Sequence, residues 1–266
     1  MRGKITRFQI QKEQPILSTA IHAGHRVRKS VQPYMKLNEQ QRLREEDPYT
    51  NIYTRLPGSR LVVNRSRFEL DVNRREEKSI YLNPEDAWGL DVYKKPVPEQ
   101  VINKTHQRYH QFYRNIIDVI EYIKNEQGLV MILDIHSYNH RRKGPAAPPA
   151  DPELNPDINI GTDDMNRDLW DPVIDSMKYN FKRFEYSGKK YNVKENLKFR
   201  GGHFPHSLHH YFNNKVCVIS IEFKKEFMDE WTGEPYPEKI KANLNLLQET
   251  VPVIKEQSQK VLKNLY

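Results

Sequence analysis

The chain contains one cysteine, Cys217, so neither an internal disulfide nor a thiolate metal cluster can form. It also lacks long apolar runs. No stretch approaches the roughly 20 apolar residues of a membrane helix, and the opening "MRGKITRFQIQKEQP" has no apolar segment of the kind a secretory leader carries. The expectation is a cytoplasmic protein with no membrane partner. Acid is outnumbered by base, 35 Asp and Glu against 43 Lys and Arg, giving a formal charge of +8. Yet the basic residues are scattered, and the densest runs, "HRVRKS" and "NHRRKG", are short. No basic helix interleaved with aromatics is present, so a nucleic-acid partner is not expected. The surplus suits a small anionic substrate instead. The oligomeric state is left open.

What is present reads as alternating strands and helices. "PILSTAI" (15–21) is a buried strand stopped by Gly24, and "SRLVVNRS" is a second strand after the Pro57-Gly58 turn. In "LNEQQRLREEDPYTNIYTRL" (37–56), Asp47-Pro48 reads as an N-cap and first helical position, breaking one helix and starting another. From residue 98 to 128, Val101, Tyr109, Phe112, Ile116, Ile117, Ile120 and Ile123 recur at helical spacing, and Gly128 ends the run. "LVMILDI" (129–135) and "VCVISIEF" (216–223) are continuous apolar runs, as strands covered on both faces require. Residues 141–157 form a Pro/Ala-rich loop. The tail from Pro237 is helical, with a break or kink expected near Pro252. The pattern predicts one α/β domain over residues 1–266: a three-layer α/β/α sandwich around a mixed, mainly parallel sheet.

Chemistry-bearing residues gather where the strands end. "AIHAGH" places His22 just past the first strand, "LDIHSY" places Asp134 and His136 on the third, and "ISIEF" places Glu222 on the last. Open α/β sheets build sites at the carboxyl ends of their strands. A carboxylate there is costly unless paired, near a metal, or working. Between these segments lie "REEDPY", with Glu45, Glu46 and Asp47, and "SRFELDVNR", with Arg67, Asp71, Asn73 and Arg74. Two histidines and one carboxylate make a three-ligand zinc set that leaves a position for water. A further glutamate can serve as general base. Arg67 and Arg74 can hold an anion at two points. His106 and His110 lie four apart on the long helix, a spacing that can bind zinc. "HQRYH" lacks the glutamate of a metalloprotease helix, however, and reads as a surface pair.

Taken together, "AIHAGH", "EEDPYT", "SRFELDVNR", "YLNPEDAWGL", "LDIHSY", "DINIGT", "FRGGHF" and "VCVISIEF" resemble the N-formylglutamate amidohydrolases. These are zinc hydrolases with a carboxypeptidase-like, phosphorylase/hydrolase-like core. The resemblance implies zinc held by His22, His136 and an acid, Glu46 or Asp47, with His25 as a competitor. It implies Glu222 as general base and proton shuttle, and Arg67 near the reacting carbonyl. Asn73 and Arg74 would grip the substrate carboxylate, and Arg200, Gly201, Gly202 and His203 would line the substrate side. Asp134 would orient His136, and Asp71 would fix the turn presenting Arg74. The implied reaction is hydrolysis of a small carboxylate-bearing N-acyl amino acid such as N-formylglutamate. A carboxypeptidase-like or poly-glutamate/cell-wall peptide hydrolase stays open, as does a non-catalytic binding protein on the same fold. After "GG", where many relatives carry a threonine-arginine pair, this chain reads "HFPHSLHH". That departure bears on the substrate, and its four histidines raise the question of a second metal.

Overall fold

The apolar run after Gly128 becomes the nine-residue strand β4 (Val130–Tyr138), buried along its whole length. The order of the strands follows from what covers it. The computed structural model describes residues 5–265. The first four residues of the opening segment and Tyr266 lie outside them. Before β4 come β1 (Thr6–Gln9), β2 (Ile16–Ala20) and β3 (Ser59–Val63). After it come β5 (Ile158–Gly161), the short hairpin β6 (Glu185–Tyr186) and β7 (Lys189–Lys190), β8 (Val193–Glu195) and β9 (Val216–Lys224). Seven of them form one sheet in the order β1-β3-β2-β4-β9-β5-β8. The central strands β3, β2, β4 and β9 run parallel, while β1 against β3 and β5 against β9 are antiparallel.

Alternate residues of the central strands feed two separate cores, as a pleat demands. Met131, Leu133, Ile135, Cys217, Ile219 and Ile221 face one layer, built by α4 (Arg167–Arg183) and α6 (Pro237–Asn264). Val130, Ile132, Val216 and Val218 face the other, built by α3 (Glu99–Gln127) and α5 (His203–Phe212). The mainly parallel α/β/α architecture is the one the alternation of elements predicts. On α3, Tyr109, Phe112, Ile116, Ile120 and Ile123 point inward, and Gly128 caps the helix with φ of 79°. That is a left-handed conformation glycine adopts freely. Truncating Ile120, fully buried, to alanine would cost about 2–5 kcal/mol.

Two local expectations are corrected. α6 is not interrupted at Pro252; it continues to Asn264. Leu246, Leu247, Val251 and Ile254 pack into the core on both sides of the proline, and such tertiary packing outweighs one missing backbone bond. The break at Asp47-Pro48 exists, but Asp47 is not an N-cap. Helix α1 (Glu39–Glu45) ends before it, and α2 (Thr50–Tyr53) starts from Tyr49, which sits at φ 69°. That turn frees the Asp47 side chain for other partners.

Residues 141–157 carry no helix or strand. Their first turn is tied down by buried Glu230, which accepts from the backbone N–H groups of His140 (2.7 Å) and Arg141 (3.0 Å).

Candidate active site

In the parallel pair β4–β9, His136 stands directly opposite Glu222, so the two side chains leave the sheet on the same face. His22 lies two residues past the end of β2, and its main-chain oxygen accepts the N–H of Asp47 at 3.0 Å. This bond draws the connection between α1 and α2 over the strand ends. Asp47 Oδ2 then lies 3.1 Å from His136 Nδ1 and 3.6 Å from His22 Nδ1, and Ser137 Oγ donates to Oδ1 at 3.2 Å. The imidazole centroids are 4.9 Å apart. Among the described residues, His22, Asp47 and His136 are the one group of three or more His, Cys, Asp or Glu whose ligand atoms all lie within 4.8 Å of one another. All three are buried.

Each histidine is braced from behind. His22 Nε2 meets Asp71 Oδ1 at 2.7 Å, and His136 Nε2 meets Asp134 Oδ2 at 2.8 Å. Such carboxylates fix the tautomer and raise the basicity of the nitrogen that faces the ligand. Asp134 thus sits where the resemblance put it. Asp71 does more than fix a turn: Oδ1 also accepts the N–H of Asn73 at 2.8 Å, and Oδ2 accepts from Arg67 at 2.8 Å and from the Tyr81 hydroxyl. One buried carboxylate therefore joins a histidine of the cluster to Arg67 and Asn73.

The electrostatics follow from burial against charge. Burial alone would push Asp47 up, but hydrogen bonds and charge from His136 and His22 hold it well below the usual carboxylate range. Asp71 is depressed in the same way, by His22 and Arg67. Burial opposes a charged His136, yet Asp134 and Asp47 hold its pKa well above the usual range. Glu222 behaves oppositely. It keeps partial exposure to the cleft but accepts no side-chain hydrogen bond among the described residues. Desolvation raises its pKa to about 8, with the charge of Asp47 adding to the rise and His136 opposing it.

These residues floor a cleft of about 550 Å³. Arg67 lines it, 12% exposed, with Nε and Nη2 engaged by Tyr81 and Asp71 and its guanidinium 4.9 Å from the Trp88 ring. Its Nη1 makes no hydrogen bond among the described residues. Arg74 also lines the cleft. It forms no ion pair among the described residues, and its guanidinium stands 5.8 Å over the Tyr81 ring. Asn73 is held by the start of α5. Its Oδ1 accepts the N–H of Phe204 at 2.9 Å and its main-chain oxygen that of His203 at 3.2 Å. Gly202 leaves room for this arrangement, because a Cβ there would displace the Asn73 amide. Gly201 and His203 complete that wall.

Three candidates lie elsewhere. Glu46 faces away from the cluster, bonded to His25 Nδ1 at 2.5 Å and to the Ser66 hydroxyl. Glu46 and His25 therefore satisfy each other, and Asp47 alone of the acidic run reaches the histidines. Arg200 turns its side chain to solvent, 68% exposed and 3.3 Å from Asp163, so its neighbours Phe199, Gly201 and Gly202 face the cleft and its own side chain does not. The histidines of α5 do not converge on one another: His206 pairs with Asp164 at 3.0 Å, and His209 Nε2 accepts the N–H of Val218.

Several cleft residues were not singled out in the sequence. Lys225 is 1% exposed and spans the sheet and the ligand turn, donating to the main-chain oxygens of Arg44 (2.6 Å) and Glu46 (2.7 Å). Burial lowers its pKa to about 8. The only signal was a lysine directly after a long apolar strand. Arg142, from the 141–157 loop, lines the opposite rim and lies 3.7 Å from Glu45; Arg75 and Lys78 add further positive charge.

A model of the N-formylglutamate amidohydrolase family matches residues 14–228. No curated protein matches the chain. Among solved structures, an N-formylglutamate amidohydrolase from Ralstonia eutropha superposes with a TM-score of 0.71 at 16% identity, covering 94% of this chain and 98% of that one. A gene product of Agrobacterium tumefaciens gives 0.65 at 16% identity, covering 94% and 96%. At such identities the likeness is one of fold.

Proposed function

The chain belongs to the N-formylglutamate amidohydrolase family, and from that premise we propose that it is a zinc-dependent amidohydrolase acting on a small N-acyl amino acid with a free carboxylate, N-formylglutamate first among them. One observation carries the reading. The His22–Asp47–His136 cluster and an unbonded, half-buried Glu222 share the floor of a cleft whose wall presents Asn73 and Arg74.

The donor set fits zinc: two imidazole nitrogens and a carboxylate oxygen, with open cleft beside them. A bound zinc ion supplies Lewis acidity for the carbonyl and for water. Arg74 and the free Nδ2 of Asn73 bind the substrate carboxylate, and so set which amide lies over the floor. Glu222 takes the proton of the attacking water and returns it to the departing amine. General base help of this kind is worth roughly 10²–10⁴ in rate. Arg67 offers Nη1 to the carbonyl oxygen as it gains charge, and Asp71 and Tyr81 hold that guanidinium in place. The positive cleft suits an anionic substrate, and nucleic acid and membrane play no part in the reading. A cytoplasmic location belongs to the same proposal. No helix of the described residues is long and apolar enough to cross a membrane.

The test is turnover of N-formylglutamate by zinc-loaded protein, wild type against Glu222→Gln. Loss of about 10²-fold or more, with fold and metal retained, is the expected result. Activity within tenfold of wild type removes Glu222 from the chemistry. Absence of turnover in the wild type removes this substrate. Longer glutamate-containing peptides are a second reading, favoured by the extra rim cations Arg75, Lys78 and Arg142. Comparing γ-linked oligoglutamate with N-formylglutamate separates the two.

A further inference from the structure

The helix pair His106 and His110 is absorbed by nothing described so far. The two residues lie one turn apart on α3, so their side chains leave the same face. The fold brings a carboxylate to that face from elsewhere. Glu76 Oε1 lies 2.9 Å from His110 Nε2 and 3.6 Å from His106 Nδ1. Zinc binds imidazole nitrogen and carboxylate oxygen at about 2.0–2.2 Å, which in a tetrahedron separates ligand atoms by roughly 3.3–3.6 Å. The 3.6 Å separation matches that spacing and the 2.9 Å one is a hydrogen bond, while the two imidazole nitrogens stand more than 4.8 Å apart, on either side of the carboxylate. The carboxylate now bridges the rings. Histidines one helical turn apart can share one ion, and these two side chains, 28% and 50% exposed, have room to swing inward onto it.

We propose that Glu76, His106 and His110 form a second, solvent-facing site for a divalent transition metal of the zinc class, and that an ion there clamps the segment carrying Asn73 and Arg74 to α3. The clamp follows from chain connectivity. Glu76 is two residues beyond Arg74 and opens a single 3₁₀ turn, Glu76–Lys78. Tyr109, lying between the two histidines in sequence, donates its hydroxyl to the main-chain oxygen of Arg74 at 2.9 Å. Tyr113, one turn on, donates to that of Val72 at 2.7 Å. The metal would add a third tie along the same face. Imidazole and carboxylate ligands select zinc, nickel or copper over magnesium or calcium. The existence of this site does not depend on the proposed reaction; only its consequence for Arg74 does.

The experiment titrates zinc into chelator-stripped full-length protein at neutral pH, comparing wild type with His106→Gln/His110→Gln and with Glu76→Gln. These side chains are partly exposed, so the variants should fold, and His203, His206 and His210 remain as an internal control. The double variant should take up one zinc equivalent fewer than wild type, with tight binding at the cleft unchanged. Glu76→Gln should weaken the same equivalent by at least the roughly 10–100-fold that follows loss of an outer partner. Equal zinc uptake by wild type and the double variant overturns the site. Should the cleft itself bind no zinc, wild type would still take up the one equivalent the double variant lacks, so failure of the two ideas is distinguishable. Backbone hydrogen exchange at residues 73–78 should slow when this equivalent binds wild type, and not in the double variant. Unchanged exchange in wild type overturns the clamp.

Discussion

The molecule holds two pairs of histidines, and they differ in every respect except residue type. His106 and His110 are near neighbours in sequence, partly exposed, and share one carboxylate, Glu76. His22 and His136 are more than a hundred residues apart, buried, and each has a carboxylate of its own behind it while a third, Asp47, faces both. Sequence spacing alone favours the first pair as a chelate. The sheet assembles the second. A strand end fixes a ring to within the reach of a hydrogen bond, and a bracing carboxylate fixes its tautomer. An exposed helix turn leaves both to be settled by the ligand. Preorganisation, rather than proximity in the chain, separates a strong site from a weak one.

The largest expected effect sets the pairs directly against each other. His136→Ala should lose tight zinc by more than the roughly 10–100-fold that follows loss of an outer partner, whereas His106→Gln/His110→Gln should keep it. Metal content after mild chelation decides the matter. Full occupancy in His136→Ala would dissolve the distinction.

The bracing carboxylates come next. Asp71→Asn should weaken tight zinc about 10–100-fold. It should also raise KM, because the same side chain holds Arg67 and the Asn73 turn. Asp134→Asn should weaken zinc alone. Identical profiles for the two variants would mean that Asp71 acts only through His22.

Arg74→Lys sharpens the contrast between a held and a free cation. A lysine cannot supply the planar two-point contact, so KM for a carboxylate substrate should rise about 10-fold or more, from the roughly 1.5–3 kcal/mol of a charged hydrogen bond. An amide analogue of that substrate should bind poorly to wild type and lose little more on mutation. Equal harm to acid and amide makes Arg74 structural.

The smallest effect is one of stability in the metal-free protein. Glu222 has a folded pKa near 8 against an ordinary 4.5, so between those values the folded state holds a proton that the unfolded state has released. Stability from this group therefore falls as pH rises through that window. Glu222→Gln should be more stable than wild type at pH 8, by on the order of 1–3 kcal/mol, and the gap should close towards pH 4.5. Denaturant midpoints at the two pH values measure it. A constant gap would mean that Glu222 is ionised throughout.

What could be seen in the sequence follows the same division. His22, His136 and Glu222 were legible because continuous apolar runs announce the central strands, and a polar residue at the end of such a run has few ordinary reasons to be there. The choice between Glu46 and Asp47 was not legible. It depends on the left-handed turn at Tyr49 and on a backbone bond from Asp47 to His22, and neither leaves a compositional mark. The direction of Arg200 was hidden for a similar reason, since its neighbours on both sides do face the cleft. Helix α4 escaped because Pro172 lies within it, a residue that reads as a breaker, and β5 and β8 are too short for a periodic signal. Lys225 was invisible because its partners are main-chain oxygens.

Cys217 gives the sheet a built-in clock. It is the chain's one thiol, fully buried on β9 in the middle of the sheet, and desolvation raises its pKa, so the folded protein presents no thiolate to solvent. An aromatic disulfide reagent can reach it only when β9 parts from its covering helices. The rate at which absorbance develops in excess reagent therefore counts openings of the molecule's centre, without label or engineered probe. Occupation of the cleft by metal, which ties β4 to the turn before α2, should slow that clock.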